Sequence, residues 1–209
     1  MTDVFSGYAK ATRIANVARK AAGRPLIRNG YCNAHARRYF YKAWVNFKEA
    51  AFYLDHYHEI YQLNEAAKGQ APPRILELRS QMLPRFEAMK KKAMEELPAY
   101  PEPGIYSKGL KYFLKNYEGL TLFLGDAEVG IDNNSQERLL RNHVVGRKTW
   151  YGTHSERGAL TAAILFTIVE TCKLNKVNPR EYFTALVQEL HAGRPSRTPS
   201  QYKADQPQA

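Results

Sequence analysis

Residues 131–150, IDNNSQERLLRNHVVGRKTW, gather the side chains best able to do chemistry in this sequence. Asp132, Asn133 and Asn134 come first, then Glu137, then Arg138, Arg141, Arg147 and Lys148. Asp and Asn are strong helix N-caps, and a helix amino end favours negative charge, so the stretch predicts a helix starting at 132–134. Glu137 then sits one turn inside, with Arg141 four residues on, a spacing that suits an ion pair. A capped, salt-bridged surface helix accounts for Asp132, Glu137 and Arg141 without any chemistry. The alternative is that Glu137 offers a hard oxygen ligand to a metal ion beside a nucleic-acid backbone. Capping does not account for the next stretch, GRKTWYG (146–152), which reads as a loop carrying two cations and two aromatics. Trp150 and Tyr151 there either stack on an unpaired base or are buried. Spacing alone leaves the two readings of Glu137 level.

The charge balance narrows the partners. The chain of 209 residues carries a net charge of +11, and between Val4 and Lys48 ten Lys and Arg residues occur with no Asp or Glu. A basic segment of that length suits a polyanion, nucleic acid being the commonest, although a solvated basic face is the simpler explanation. Arg37 and Arg38 either contact phosphates or cover a helix surface. Cys32 and His35 are zinc-type ligands, but no second pair completes a site, which favours packing and hydrogen bonding. With only Cys32 and Cys172, no disulfide framework is expected, and a reducing cytoplasm is the expected compartment. The N-terminus MTDVFSGYAK lacks the pattern of a signal peptide, and no apolar run approaches the roughly 20 residues of a membrane span.

The elements that must position these residues read as mainly helical with a few short strands. A helix is expected over 4–22, a short strand at Leu26-Ile27, and a long helix from an Asn33 cap to about Ala67. The inward stripe of that helix would be Ala36, Phe40, Ala43 or Trp44, Phe47, Ala51, Leu54 and Tyr61. A run from Arg74 to Leu97 follows, ended or kinked at Pro84. Ser107 would cap a helix reaching Phe123, and GDAEVGID (125–132) would hold a tight turn and one short strand. Residues 159–173 form a strongly apolar helix whose stripe at 160–170 is assigned to the core. Asn178, Pro179 and Glu181 open the last helix, Gly193 ends it, and the tail from 194 has a disordered composition.

IDNNSQERLLR followed by VGRKTWYGTHSERGA resembles the signature of transposases of the insertion sequence 66 family. GYCNAHARRYF (30–40) is similar to that family's Cys-x-x-His-Ala-Arg-Arg segment, and TDVFSGY (2–8) to its Asp-Gly-Tyr-x-Gly-Tyr segment. SKGLKYFLKNYEGLTLFL and ETCKLNKVNPREYF also match, in the same order. The resemblance implies an RNase H-like core whose Asp-Asp-Glu carboxylates hold two magnesium ions. Its chemistry would be hydrolysis of a DNA phosphodiester at a transposon end and transfer of the strand to target DNA. Magnesium favours carboxylate and water oxygens, and two such ions activate the entering oxygen and stabilise the leaving one.

On that mapping Asp3 is the second carboxylate and Glu137 the third, separated by 133 residues that include the family's helical insertion. Residues 1–48 would be a remnant of the core, 49–106 the insertion, and 107–157 the rest of the core with the Glu-bearing helix. A C-terminal helical element (158–193) and the tail (194–209) complete it. Arg37, Arg38, Arg141, Arg147, Lys148 and Trp150 are the candidate DNA contacts. The family's first catalytic Asp has no counterpart in this sequence, so the truncated core is expected to be inactive by itself. A non-catalytic DNA-binding module, or a partner of a full-length transposase, is the alternative. Helices left without their strands would favour self-association or association with such a transposase.

Overall fold

The computed structural model describes residues 4, 6–100 and 103–205, and the chain divides into two compact units, Met1–Ser135 and Gln136–Ala209. In the first unit α1 spans Ser6–Ala21, and the chain then runs without regular structure through 24–30. Leu26 and Ile27 are expected to pair as a strand, but no strand forms among the described residues. The side-chain amide of Asn16 takes the place of a partner strand. Its Oδ1 accepts from Ile27 N (2.8 Å) and its Nδ2 donates to Ile27 O (2.9 Å). Nor does a strand form at 125–132, where the chain makes turns.

Two helices, α2 (Asn33–Ala43) and α3 (Ala50–Ala67), replace the single helix expected over 33–67. The break at 44–49 swings Phe47 into the core, where its ring stacks on Tyr106 at 5.3 Å and meets Tyr100 edge-on at 5.7 Å. It also resets the register. Ala36, Phe40 and Ala43 are buried as expected, but α3 buries Ala50, Tyr53, Tyr57 and Ile60 in place of Ala51, Leu54 and Tyr61.

Pro84 separates two helices, lying in the first turn of α5 (Leu83–Glu96) after α4 (Pro72–Ser80), where its missing N–H does no harm. Helix α6 (Ile105–Lys115) starts after Gly104, so Ser107 lies inside it and is buried. Its run stops at Asn116, and α7 (Tyr117–Thr121) ends in a 3-10 turn, Leu122–Gly125.

The core of this unit is largely aromatic. Phe40 stacks on Tyr53 at 4.1 Å and meets Phe113 edge-on at 6.2 Å, while Phe86 meets Tyr57 and Phe123 at 6.3 and 6.1 Å. Buried phenols need acceptors, and the Glu96 carboxylate serves two of them: Tyr53 (2.8 Å) and Tyr106 (2.6 Å). Burial and that carboxylate push both phenols up from their ordinary value, so they stay protonated donors.

In the second unit α8, which begins at the unit boundary, spans Asn134–Thr149. It runs through the stretch at 146–149 expected to be loop, so Arg147 and Lys148 belong to its last turn. Helix α9 covers Glu156–Leu174, α10 Pro179–His191 and α11 Pro199–Ala204. Local chemistry sets these ends. Ser155 Oγ accepts from Gly158 N (3.0 Å), Asn178 Oδ1 from Arg180 N (3.0 Å), and Gly193 takes φ +65° past α10.

Two expectations fail in this unit. The stripe of α9 assigned to the core is largely exposed, Leu160 at 63% and Ile164 at 51%, and Cys172 is the residue of α9 that is buried. The tail is ordered through 205. Thr198 and Gln201 form a capping box, Tyr182 donates to Arg197 O (2.6 Å), and the Arg197 guanidinium pairs with Glu189 and Asp205.

Because Phe40 fills space between α3 and α6, Phe40→Ala should cost about 3–5 kcal/mol of stability in urea unfolding. A loss under about 1 kcal/mol would mean that the two helices close over the gap.

Candidate nucleic-acid interface and carboxylate site

The segment 131–134 is held from below by the start of α2. Asn33 N and Nδ2 both donate to Ile131 O (3.2 Å each), and Nδ2 also reaches Leu120 O (2.9 Å). From α4, the buried Arg79 guanidinium donates to the carbonyls of Phe123 and Asp126, which fixes the turn leading into the segment. Burial lowers the Arg79 pKa and the Asp126 charge opposes that shift, so the cation is retained.

Both carboxylate oxygens of Asp132 are engaged. Oδ1 accepts from Asn134 N (3.1 Å), and Oδ2 from the Tyr61 hydroxyl (3.1 Å). Burial and the Asp132 charge push the Tyr61 phenol well above its ordinary value, which keeps it a donor. This is a capping arrangement reinforced by a tyrosine. Asn133, between the two, is buried, and its Oδ1 has no hydrogen-bond partner among the described residues.

Glu137 lies in the first turn of α8 and is exposed. At about 3.6 residues per turn, the spacings 137, 141 and 148 put Glu137, Arg141 and Lys148 on one stripe, with Arg147 roughly a quarter-turn away. All four are exposed. Leu139, His143, Gly146 and Trp150 form the opposite stripe, and it packs on α9. The His143 ring meets Phe166 edge-on at 4.7 Å and the Trp150 ring lies 5.8 Å from Phe166. Gly146 gives the Trp150 indole room to lie there, since a Cβ would come within 2.2 Å of the ring and displace it.

The two aromatics therefore differ. Trp150 is braced on Phe166 and Gly146 and keeps 43% of its surface, whereas Tyr151 is 85% exposed with φ at +58°. A left-handed backbone at a tyrosine is strained. Tyr151 is less prominent in the sequence than its neighbour because nothing in the spacing separates a braced ring from a free one.

Asp3 lies outside the described residues. Among those described, no group of three His, Cys, Asp or Glu side chains gathers where it could hold a metal ion. With Asp132 engaged and Glu137 on an outer stripe, the described residues do not by themselves make the two-magnesium site that the resemblance implies. Glu137 would offer one hard oxygen donor to such a site.

Arg37 and Arg38 are exposed on α2 and line a groove of about 460 Å³ with Tyr41, with His58 and Tyr61 of α3, and with Asn134. Sequence reasoning finds the arginines and misses the α3 wall, because that wall exists only once the chain breaks at 44–49. Beneath it Cys32 is buried at the start of α2, and burial raises its thiol pKa. A protonated thiol is a poor nucleophile and metal ligand. Native protein should therefore leave Cys32 and Cys172 unreactive towards an aromatic disulfide for minutes, with both thiols titrating in denaturant. A thiol labelled rapidly in the native state would contradict this packing role.

A protein-family model described as the IS66 family of transposases matches residues 1–161. Among curated proteins the chain is similar to the uncharacterized protein y4hP of Sinorhizobium fredii, at 28% identity over 204 residues, 90% of this chain and 36% of that protein. The uncharacterized proteins y4qI (28% identity; 91% of this chain, 36% of that one) and y4jD (26%; 96% and 41%) of the same organism are also similar. The chain thus spans 36–41% of the length of these relatives. No solved structure matches it. With residues 1–161 of 209 matched, the chain belongs to the IS66 transposase family.

Proposed function

We propose that this chain is a DNA-contacting portion of a transposase of the DDE type. Glu137 is its third catalytic carboxylate, and Asp3 its second. Arg37, Arg38, Arg141, Arg147 and Lys148 are its phosphate contacts, with Trp150 bracing the end of α8. The observation that carries the reading is the two-sided build of α8: one stripe packs on Phe166, and the other offers Glu137, Arg141 and Lys148 to solvent. A carboxylate among cations suits a metal ion held against a phosphodiester, since the cations neutralise the strand and the carboxylate draws the ion.

We infer further that the helices flank an RNase H-like core. The paired hydrogen bonds of Asn16 to the Ile27 backbone, which imitate one rung of a sheet, support this as the place of a strand. DNA hydrolysis and strand transfer with magnesium are proposed for the whole transposase. The residues of this chain are proposed to contribute DNA contacts and the Glu137 carboxylate to that activity. No helix among the described residues is long and apolar enough to cross a membrane, and the proposed place of action is the bacterial cytoplasm at the nucleoid.

A non-catalytic DNA-binding module is the second reading. Its support is Asp132, whose carboxylate serves Tyr61 and the α8 backbone rather than a metal. The two readings separate on magnesium. Arg147→Ala with Lys148→Ala should weaken DNA binding and flatten its salt dependence by about two phosphate contacts. Under the first reading, Glu137→Gln removes any magnesium-dependent gain in affinity. Under the second, it changes nothing. Wild-type affinity that is unaltered between 50 and 200 mM salt, conditions that cost phosphate-bound complexes on the order of a thousand-fold, would end both.

Exposed apolar residues on α1 (Ile14, Val17) and α9 (Leu160, Ile164) support association with further copies or with a full-length transposase. Sedimentation should find self-association that Leu160→Glu with Ile164→Glu abolishes. A monodisperse wild-type monomer would count against it.

A further inference from the structure

We propose that the groove between α2 and α3 receives one unpaired nucleotide of a DNA strand. Its phosphate would sit on Arg37 and Arg38 and its base against the ring of Tyr41. The inference rests on the reading of this chain as a DNA-acting protein and goes beyond it by naming the form of DNA this face takes.

Size, charge and aromatic content carry the assignment together. A volume of about 460 Å³ lies in the range of sites for small molecules, and it suits a nucleotide unit. A duplex keeps its bases stacked inside and offers a groove of this width only its phosphates. The lining holds two arginines and no acid. Among the described residues neither Arg37 nor Arg38 pairs with a carboxylate, and the nearby acids have other partners. Asp132 is held by Tyr61 and Asn134 N, and Glu59 is paired with Arg85 at 2.6 Å. Two guanidiniums on one helix turn, without internal partners, match the forked geometry of a phosphate.

Tyr41 supplies what a bare phosphate site would not need. It lies one turn beyond Arg37 and keeps 58% of its surface exposed beside the arginines. Base stacking on such a ring is tolerant of sequence and contributes affinity for unpaired strands. The Tyr61 hydroxyl is committed to Asp132, so Tyr61 is a fixed wall and Tyr41 is the ring left available. His58, held to Gln62 at 2.9 Å, closes the side away from α2.

The test compares a single-stranded oligonucleotide, a blunt duplex and a mononucleotide by fluorescence anisotropy and competition at fixed salt. Arg37→Ala with Arg38→Ala, and separately Tyr41→Ala, should weaken single-strand binding on the order of ten-fold and blunt-duplex binding far less. Tyr41→Phe should bind like wild type, because the ring and not the hydroxyl is used. Unchanged thermal unfolding of these surface variants checks their folding. Three results would overturn the proposal: single-strand affinity within about two-fold of wild type, equal losses for both DNA forms, or a mononucleotide that binds as tightly as the strand. Duplex binding that persists while the groove variants change nothing would sink this inference alone. Wild-type protein that binds neither form of DNA would sink it together with the reading of the chain as a DNA-acting protein.

Discussion

Asn33 is the point through which the first unit is tied to the DNN segment. Its side chain is fully buried, donates to the carbonyls of Leu120 and Ile131, and accepts from the Tyr57 hydroxyl at 3.3 Å. One amide thus joins the start of α2, the middle of α3, the end of α7 and the entry to α8. Burying an amide is unfavourable unless its donors and acceptor are matched, and here its Oδ1 and Nδ2 both have partners. Replacing it with an apolar residue would strip the Leu120 carbonyl and the Tyr57 phenol of this partner and leave Ile131 O only the backbone N–H of residue 33, a cost beyond that of one hydrogen bond. The position of Asp132, and with it the first residue of α8, follows from that constraint.

Around this amide the same logic recurs with other groups. Arg79 reaches from α4 to carbonyls of the turn at 123–126, and Glu96 reaches from α5 to two tyrosines. Each is a polar group inside or beside an aromatic core, and each links elements far apart in sequence. Helices α2 and α4 are therefore structural supports for the segment that enters α8. Helix α2 also presents Arg37 and Arg38, both exposed, to solvent.

How much of this is legible beforehand depends on whether a local signal fixes the outcome. The helix start at the DNN segment, the Asn178 cap and the stop at Gly193 are local chemistry, and they stand where the sequence puts them. The break between α2 and α3 has no such signal. It is made by Phe47 entering the core against Tyr100 and Tyr106, contacts from residues more than fifty positions away. Gly146 reads as a loop because glycine weakens a helix interior by about 1 kcal/mol. Within the helix the missing Cβ is the space that the indole of Trp150 occupies. The strands fail for a related reason. Leu26 and Ile27 have strand-forming character, but a strand requires a neighbour, and Asn16 supplies only a single residue's worth. Of the site, the basic residues and Glu137 are legible as types. The groove is not, since His58 and Tyr61 of its wall come from the helix whose register the sequence misassigns.

The exposed apolar surface of α9 bears on what the chain is for. A helix hydrophobic on all sides is ordinarily enclosed on all sides, which is why its sequence points to the core. Here Leu160, Ile164 and Leu165 remain in water, while Cys172 on the same helix is buried. Leaving three aliphatic side chains about half exposed forgoes roughly 1 kcal/mol each, which matters beside the marginal stability of a small unit. Polar substitution would remove that disadvantage at once if the helix worked alone. Helix α9 thus leaves aliphatic side chains in water while its Phe166 packs on α8, whose other stripe carries Arg141 and Lys148.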